Sequence, residues 1–155
     1  GWYRQAMNNF WVPEEINMNT DIKDYPKLPK AERRAYDKIL SFLIFLDSIQ
    51  TANLPNISSY ITANEVNLCL SIQIFQEALH SQSYSYMLDT ICEPQERTEV
   101  LYQWKNDEHL LRRNEFIGEI YNDFQEHPST YTFMRSVMGN FILEGIYFSN
   151  HVQLH

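Results

Sequence analysis

The string Phe75-Gln76-Glu77-Ala78-Leu79-His80 places a carboxylate and an imidazole inside an apolar run. Glu77 and His80 have the i, i+3 spacing that puts two side chains on one face of a helix. Burying an unpaired carboxylate beside an imidazole costs several kcal/mol, so such groups pair with each other or hold a cation. A metal ion satisfies both, neutralising the carboxylate and accepting the imidazole lone pair. Glu-x-x-His helices combined with further Glu-bearing helices are the recurring ligand source of dinuclear carboxylate bundles. One such pair is weak ground, because a core histidine bonded to its Glu neighbour is the plainer account of it.

Two further carboxylates change the balance. Asp47 closes the apolar run Leu43-Ile44-Phe45-Leu46, and Glu144 interrupts Phe141-Ile142-Leu143 before Gly145-Ile146. Asp and Glu usually lie on surfaces, yet both of these fall in stretches that read as buried. Asp47, Glu77, His80 and Glu144 form a coherent ligand set. Oxygen donors with an imidazole suit iron or manganese better than a structural zinc site, which would use thiolates. Tyr84 follows His80 by one turn on the same face. Its phenol is either ordinary core packing with a satisfied hydroxyl or, beside an oxygen-activating metal pair, an oxidisable group. His151 lies about 10 Å beyond Glu144 along a helix, so it and His155 read as terminal, solvated histidines. In Lys105-Asn106-Asp107-Glu108-His109 the adjacent Glu and His point about 100° apart on a helix, and the string reads as a solvated face.

A ligand set of this kind needs several helices to position it. The chain has 155 residues, 44% hydrophobic and 21% charged, which excludes wholesale disorder. Only 4 Gly and 6 Pro argue against a loop-rich or many-stranded fold. Proline breaks divide the pattern into helical segments. The first runs from about Lys30 to Asn53, closed by Pro55, with apolar residues on nearly every side of its second half. The second opens at Thr62-Ala63-Asn64-Glu65, which reads as a capping box, and continues to about Ile91. The third starts at Pro94, a favourable first helical position, and runs with one wet face to the break at Pro128. The fourth runs from about Tyr131 to the end. Segments two and three are each about 45 Å long as helix. The expectation is an all-α antiparallel bundle.

Four strings occur in order: Phe10-Trp11-Val12-Pro13-Glu14-Glu15, Leu46-Asp47-Ser48-Ile49-Gln50, Glu77-Ala78-Leu79-His80-Ser81-Gln82-Ser83-Tyr84 and Leu143-Glu144-Gly145-Ile146. Together they resemble the radical-generating small subunit of class I ribonucleotide reductase, from Trp11 to Glu144. The resemblance implies a ferritin-like bundle. It implies that Asp47, Glu77 and His80 bind one metal and that Glu144 belongs to a second. The cofactor would be dinuclear iron, manganese or a mixed pair, reacting with oxygen. Tyr84 would carry the stable radical. Trp11 would relay it toward the large subunit through a hydrogen-bonded chain that includes His80. The large subunit would reduce ribonucleotides to the deoxyribonucleotides used in DNA replication, and the small subunit would form a homodimer.

The resemblance also marks departures. The family carries a second Glu-x-x-His some thirty residues beyond the position of Glu144, and its C-terminal tail docks on the large subunit. Neither is found within these residues, so four ligands of six are present. The expectation is therefore one ferritin-like domain over 1–155, the N-terminal part of a longer one or a fragment completed by a second. Two rival readings use the same residues. One is another ferritin-like dinuclear oxidase, which has no need of Tyr84 or Trp11. The other is a metal-free, truncated helical interaction module. The formal charge of −8 makes nucleic acid a poor partner. No stretch reaches the ~18 apolar residues of a membrane span. Cys69 and Cys92 cannot build a disulfide framework, and a cytoplasmic location is expected.

Overall fold

The computed structural model describes residues 1–148, and within them the fold is helical. The elements are α1 (Trp2–Asn8), α2 (Asp21–Asp24), α3 (Lys30–Ser58), α4 (Asn64–Ile91), α5 (Pro94–Leu101), α6 (Glu108–Glu126) and α7 (Thr130–Ile142). Short 3₁₀ turns lie at Pro13–Glu15, Tyr25–Lys27 and Gln103–Asn106, and a π-helical turn, Leu143–Phe148, extends α7. His151 and His155 lie outside the described residues.

Helix α3 is the axis. It has no Gly, and its middle carries Leu40, Phe42, Ile44 and Leu46, all buried. Those side chains point to both sides. Phe42 and Leu46 join Trp104, Leu110, Ile117, Ile120, Tyr121 and Leu143 in one cluster. Leu40 and Ile44 join Tyr25, Leu88, Cys92 and Val100 in another, against which Tyr84 packs. Burying a Leu or Phe completely contributes ~1.5–3 kcal/mol, so α3 is held from two directions. Residues 59–63 are the whole connection between α3 and α4, which keeps the two helices side by side.

Five local expectations are corrected. Pro55 does not close α3, which continues to Ser58. Leu54 and Ile57 are buried in that last turn, and their burial outweighs the one hydrogen bond a proline forfeits. The capping box at Thr62 does not form: the N-cap is Ala63, without a side-chain bond. Asn67 takes over, donating to the Ile61 carbonyl at 2.8 Å and accepting from Ser58 Oγ at 2.8 Å. The reciprocal box is instead Ser129 with Thr132, at the start of α7. The third segment is broken rather than continuous, because Trp104 turns inward, its backbone N–H donating to Ser41 Oγ at 3.1 Å. Asp107 then restarts the helix, accepting from the N–H groups of His109 and Leu110, so it is a cap and not merely part of a solvated face. Helix α4 is also less enclosed than its apolar content suggests, with Val66, Leu68 and Phe75 exposed.

Lys38 Nζ donates to Asp107 Oδ2 at 2.9 Å, tying this cap back to α3. That bond, with those from the Leu110 and His109 amides, holds the Asp107 carboxyl below its ordinary range. The stabilisation of a depressed carboxyl is present above its unfolded pKa and is lost as pH falls through the folded value. Asp107→Ala is therefore expected to destabilise the chain by about 1 kcal/mol near pH 7. The gap between variant and parent in urea unfolding should close below the usual carboxylate range.

Candidate metal centre

Each of the four candidate ligands arrives from an interior stretch of helix. Asp47 lies one residue past the apolar middle of α3 and is fully buried. Glu77 and His80 project from one face of α4, Glu77 buried and His80 half exposed. Glu144 sits at the point where α7 passes into its π-helical turn. Such turns widen the helix locally and often mark functional sites.

The structure brings Asp47, Glu77 and His80 together, with one ligand atom from each within 4.8 Å of the others. Glu144 stands near enough for the Glu77 charge to raise its carboxyl, although it is not part of that tight triad. His80 Nδ1 lies 3.4 Å from Glu77 Oε2. The Glu–His pair is thus a real contact, but it does not close the account. Both carboxylate oxygens of Asp47 are buried and have no hydrogen-bond partner. Most buried polar atoms in native interiors have a partner. Arg97 Nε and the Asn114 amide also lack one here, but among the described residues only Asp47 is grouped with a second carboxylate and an imidazole within ligand distance. A cation among Asp47, Glu77, His80 and Glu144 would match the Asp47 oxygens, and the donor set of three carboxylates and one imidazole fits a hard or borderline divalent ion.

The electrostatics agree. Burial, then repulsion from Glu77, pushes the Asp47 carboxyl up to about 8. Burial raises the Glu144 carboxyl, Glu77 adds to the effect, and the Gln50 amide opposes it. The Glu77 hydrogen bond holds the His80 imidazole above its usual range, against the opposite effect of burial. A divalent ion bound here would favour the ionised form of the raised Asp47 carboxyl and displace its proton.

Tyr84 is half buried one turn beyond His80. Burial first, and then the charges of Asp47 and Glu77, push its phenol up to about 12. Trp11 reaches the centre from the N-terminal segment. Gln76 Nε2 donates to the Ala6 carbonyl at 3.0 Å, and Phe10 stacks on Phe75 with ring centres 6.1 Å apart. Pro13, buried in its 3₁₀ turn, fixes the next bend. Trp11 thereby lies over the His80 ring, centroids 5.8 Å apart and planes inclined by 21°. Among the described residues, Trp11 meets His80 by this stack and not by a hydrogen bond.

The polar residues linked to Glu144 by hydrogen bonds are not among the candidates named from the sequence. Gln50 is fully buried and donates from Nε2 to Glu144 Oε1 at 2.8 Å and to Asn140 Oδ1. Its Oε1 accepts from the Tyr121 hydroxyl at 2.7 Å. The available signal was spacing: Gln50 follows Asp47 by three, and Asn140 precedes Glu144 by four.

The sequence matches the family described as "Ribonucleotide reductase, small chain" over residues 1–153. The chain belongs to that family. It is 70% identical over 147 residues to the ribonucleoside-diphosphate reductase subunit beta of Treponema pallidum, covering 95% of this chain and 42% of that protein. The ribonucleotide reductase R2 subunit from Clostridium botulinum superposes with a TM-score of 0.91 at 57% identity, covering 96% of this chain and 47% of that one. The Streptococcus sanguinis dimanganese(II)-NrdF superposes with a TM-score of 0.77 at 21% identity, covering 92% and 48%, a likeness of fold alone. The helical, ferritin-like architecture expected from the resemblance is therefore the architecture of this small-chain member. The chain spans less than half the length of these relatives. No helix among the described residues is long and apolar enough to cross a membrane.

Asp47→Asn removes the buried carboxyl that Glu77 repels and supplies an amide donor in its place. The metal-free variant is expected to melt at a higher temperature than the parent. Excess manganous ion should raise the parent's melting temperature, by the equivalent of about 2.7 kcal/mol at a hundredfold excess over Kd. It should leave that of the variant unchanged in the same differential scanning measurement.

Proposed function

We propose that this chain is the N-terminal part of a ribonucleoside-diphosphate reductase small subunit that generates and stores a tyrosyl radical. The observation that carries the reading is the unmatched Asp47 carboxylate, buried within ligand distance of Glu77 and His80. Asp47, Glu77 and His80 would hold one ion, and Glu144 would contribute to a second. Iron, manganese or one of each fits these donors. Bound there, the ion pair would with dioxygen supply the oxidising power that removes an electron and a proton from a phenol.

The chain's own residues prepare that event. Tyr84 keeps its proton at neutral pH, so its oxidation must release an electron and a proton together. Its packing against the apolar cluster that contains Leu40, Ile44 and Leu88 would limit water and side reactions at a phenoxyl radical. His80 links the metal side to the surface side: one face of its ring lies under Trp11, while Nδ1 is turned toward Glu77. An indole stacked on a ligand imidazole is placed to pass an oxidising equivalent outward. That stack favours the reductase reading over a ferritin-like oxidase, which has no use for such a residue.

The partner would be a large subunit that binds ribonucleoside diphosphates and reduces them. The remaining ligands, a second Glu-x-x-His, would come from further chain or a second fragment. Homodimerisation fits the exposed apolar residues of α4 and α7, among them Leu68, Phe75, Met138 and Phe141. A cytoplasmic location fits two free cysteines.

The test uses the natural polypeptide that contains this chain, loaded anaerobically with ferrous or manganous ion and then exposed to oxygen. The parent is expected to show a tyrosyl signal by electron paramagnetic resonance. Tyr84→Phe should bind the same quantity of metal and show no such signal, and a persisting tyrosyl signal would overturn the assignment. Trp11→Phe should keep the radical and lose at least about a hundredfold in nucleotide reduction with the large subunit, or ~2.7 kcal/mol of barrier.

A further inference from the structure

We infer that Tyr121 is a positioning residue for Glu144, acting through the amide of Gln50. The inference rests on the reading of Glu144 as a ligand to the second ion and adds a residue that touches no ligand atom itself.

Gln50 is fully buried between α3, α6 and the end of α7. An amide has an accepting end and a donating end, and only the donating end can hold a carboxylate. Here both donors are engaged, to Glu144 Oε1 at 2.8 Å and to Asn140 Oδ1. The accepting end is satisfied by the Tyr121 hydroxyl at 2.7 Å. The three bonds saturate the amide N–H groups and fix the plane of the group. Without the phenol, Oε1 would be left buried and unmatched. The amide would then turn to seek another donor, and Glu144 would lose the contact that holds it.

The phenol is itself fixed by close packing. A Cβ built on Gly139 would lie 3.3 Å from Tyr121 Cε1 and 3.3 Å from Ile120 Cγ2. Glycine at 139 thus lets the backbone of α7 press directly on the Tyr121 ring. The same helix carries Asn140 one residue later and Glu144 five residues later. Arg135 Nη1 to Asp123 Oδ2, at 2.9 Å, fastens the two helices again. Phenol, amide and carboxylate are therefore set by one helix–helix seam. Phenylalanine would fill the same space and keep the seam, so the hydroxyl is what the position adds.

The test is a manganous-ion titration, read by electron paramagnetic resonance, on the natural polypeptide containing this chain under anaerobic conditions. The parent should bind two ions. Tyr121→Phe should bind the ion at Asp47, Glu77 and His80 within twofold of the parent and the second at least about tenfold more weakly. Gln50→Met should show the same selective loss and guards against a misfolded first variant. In the double variant the two effects should not add, as expected of residues acting in one chain of contacts. A role confined to packing would weaken both ions alike. Equal weakening of both sites, or unchanged binding of both in either folded variant, overturns the inference. A parent that binds no manganous ion would instead overturn the proposed function, which keeps the two failures apart.

Discussion

Asp47 brings two carboxylate oxygens into the interior with no hydrogen-bond donor to meet them, and Glu77 and Glu144 add like charge around it. A helix bundle does not accept such an arrangement for its own sake, since each unmatched buried group works against folding. It persists here because α3 is over-determined. Phe42 and Leu46 are anchored in one apolar cluster, Leu40 and Ile44 in the other, and Asp47 has no freedom to turn outward. The apolar core thus forces a polar problem that a cation would resolve. One helix, through its middle, supplies both the core and the candidate ligand.

The other elements are arranged around that constraint. Helix α4 presents Glu77 and His80 together because three residues span one helix face. The same helix presents Tyr84 one turn later, among apolar side chains. The widened turn at the end of α7 presents Glu144. A segment pinned by Gln76, Phe75 and Pro13 lays Trp11 over His80. The half-buried Tyr84 phenol, the acidic cluster and the Trp11 indole over His80 are thereby gathered around one stretch of α4.

Charge is managed by distance from solvent as much as by partners. Tyr84 and Asp47 are both raised chiefly by burial, whereas His80 is raised chiefly by its Glu77 neighbour. Glu144 differs again, because the Gln50 amide works against the burial that raises it. Asp107, at the surface start of α6, shows the reverse behaviour, held low by a lysine and two backbone amides. Burial thus holds the Asp47 and Glu144 carboxyls above the ordinary range, while partners hold the Asp107 carboxyl below it.

The candidate ligands stood out in the sequence because each breaks a local rule. A charge in an apolar helical run is visible without coordinates, and Asp47, Glu77 and Glu144 each do this. The helical class was legible from periodicity and proline spacing for the same reason, since both are properties of neighbours along the chain. The break at Trp104, the run of α3 past Pro55 and the absence of a cap at Thr62 were not legible. Each is settled by contacts that periodicity does not show: Trp104 with Ser41 and Leu54 and Ile57 with the core, between distant residues, and Asn67 with Ser58 and Ile61 across the turn before it. The Tyr121–Gln50–Glu144 sequence of hydrogen bonds lies in the same class. Gln50 carried only the weak mark of its spacing from Asp47, and an ordinary tyrosine and glycine on two other helices carry none. Sequence alone determined which residue types could hold a metal and on which helices they ride. Only the tertiary structure decided how those helices meet, because convergence depends on side-chain packing between segments far apart in the chain.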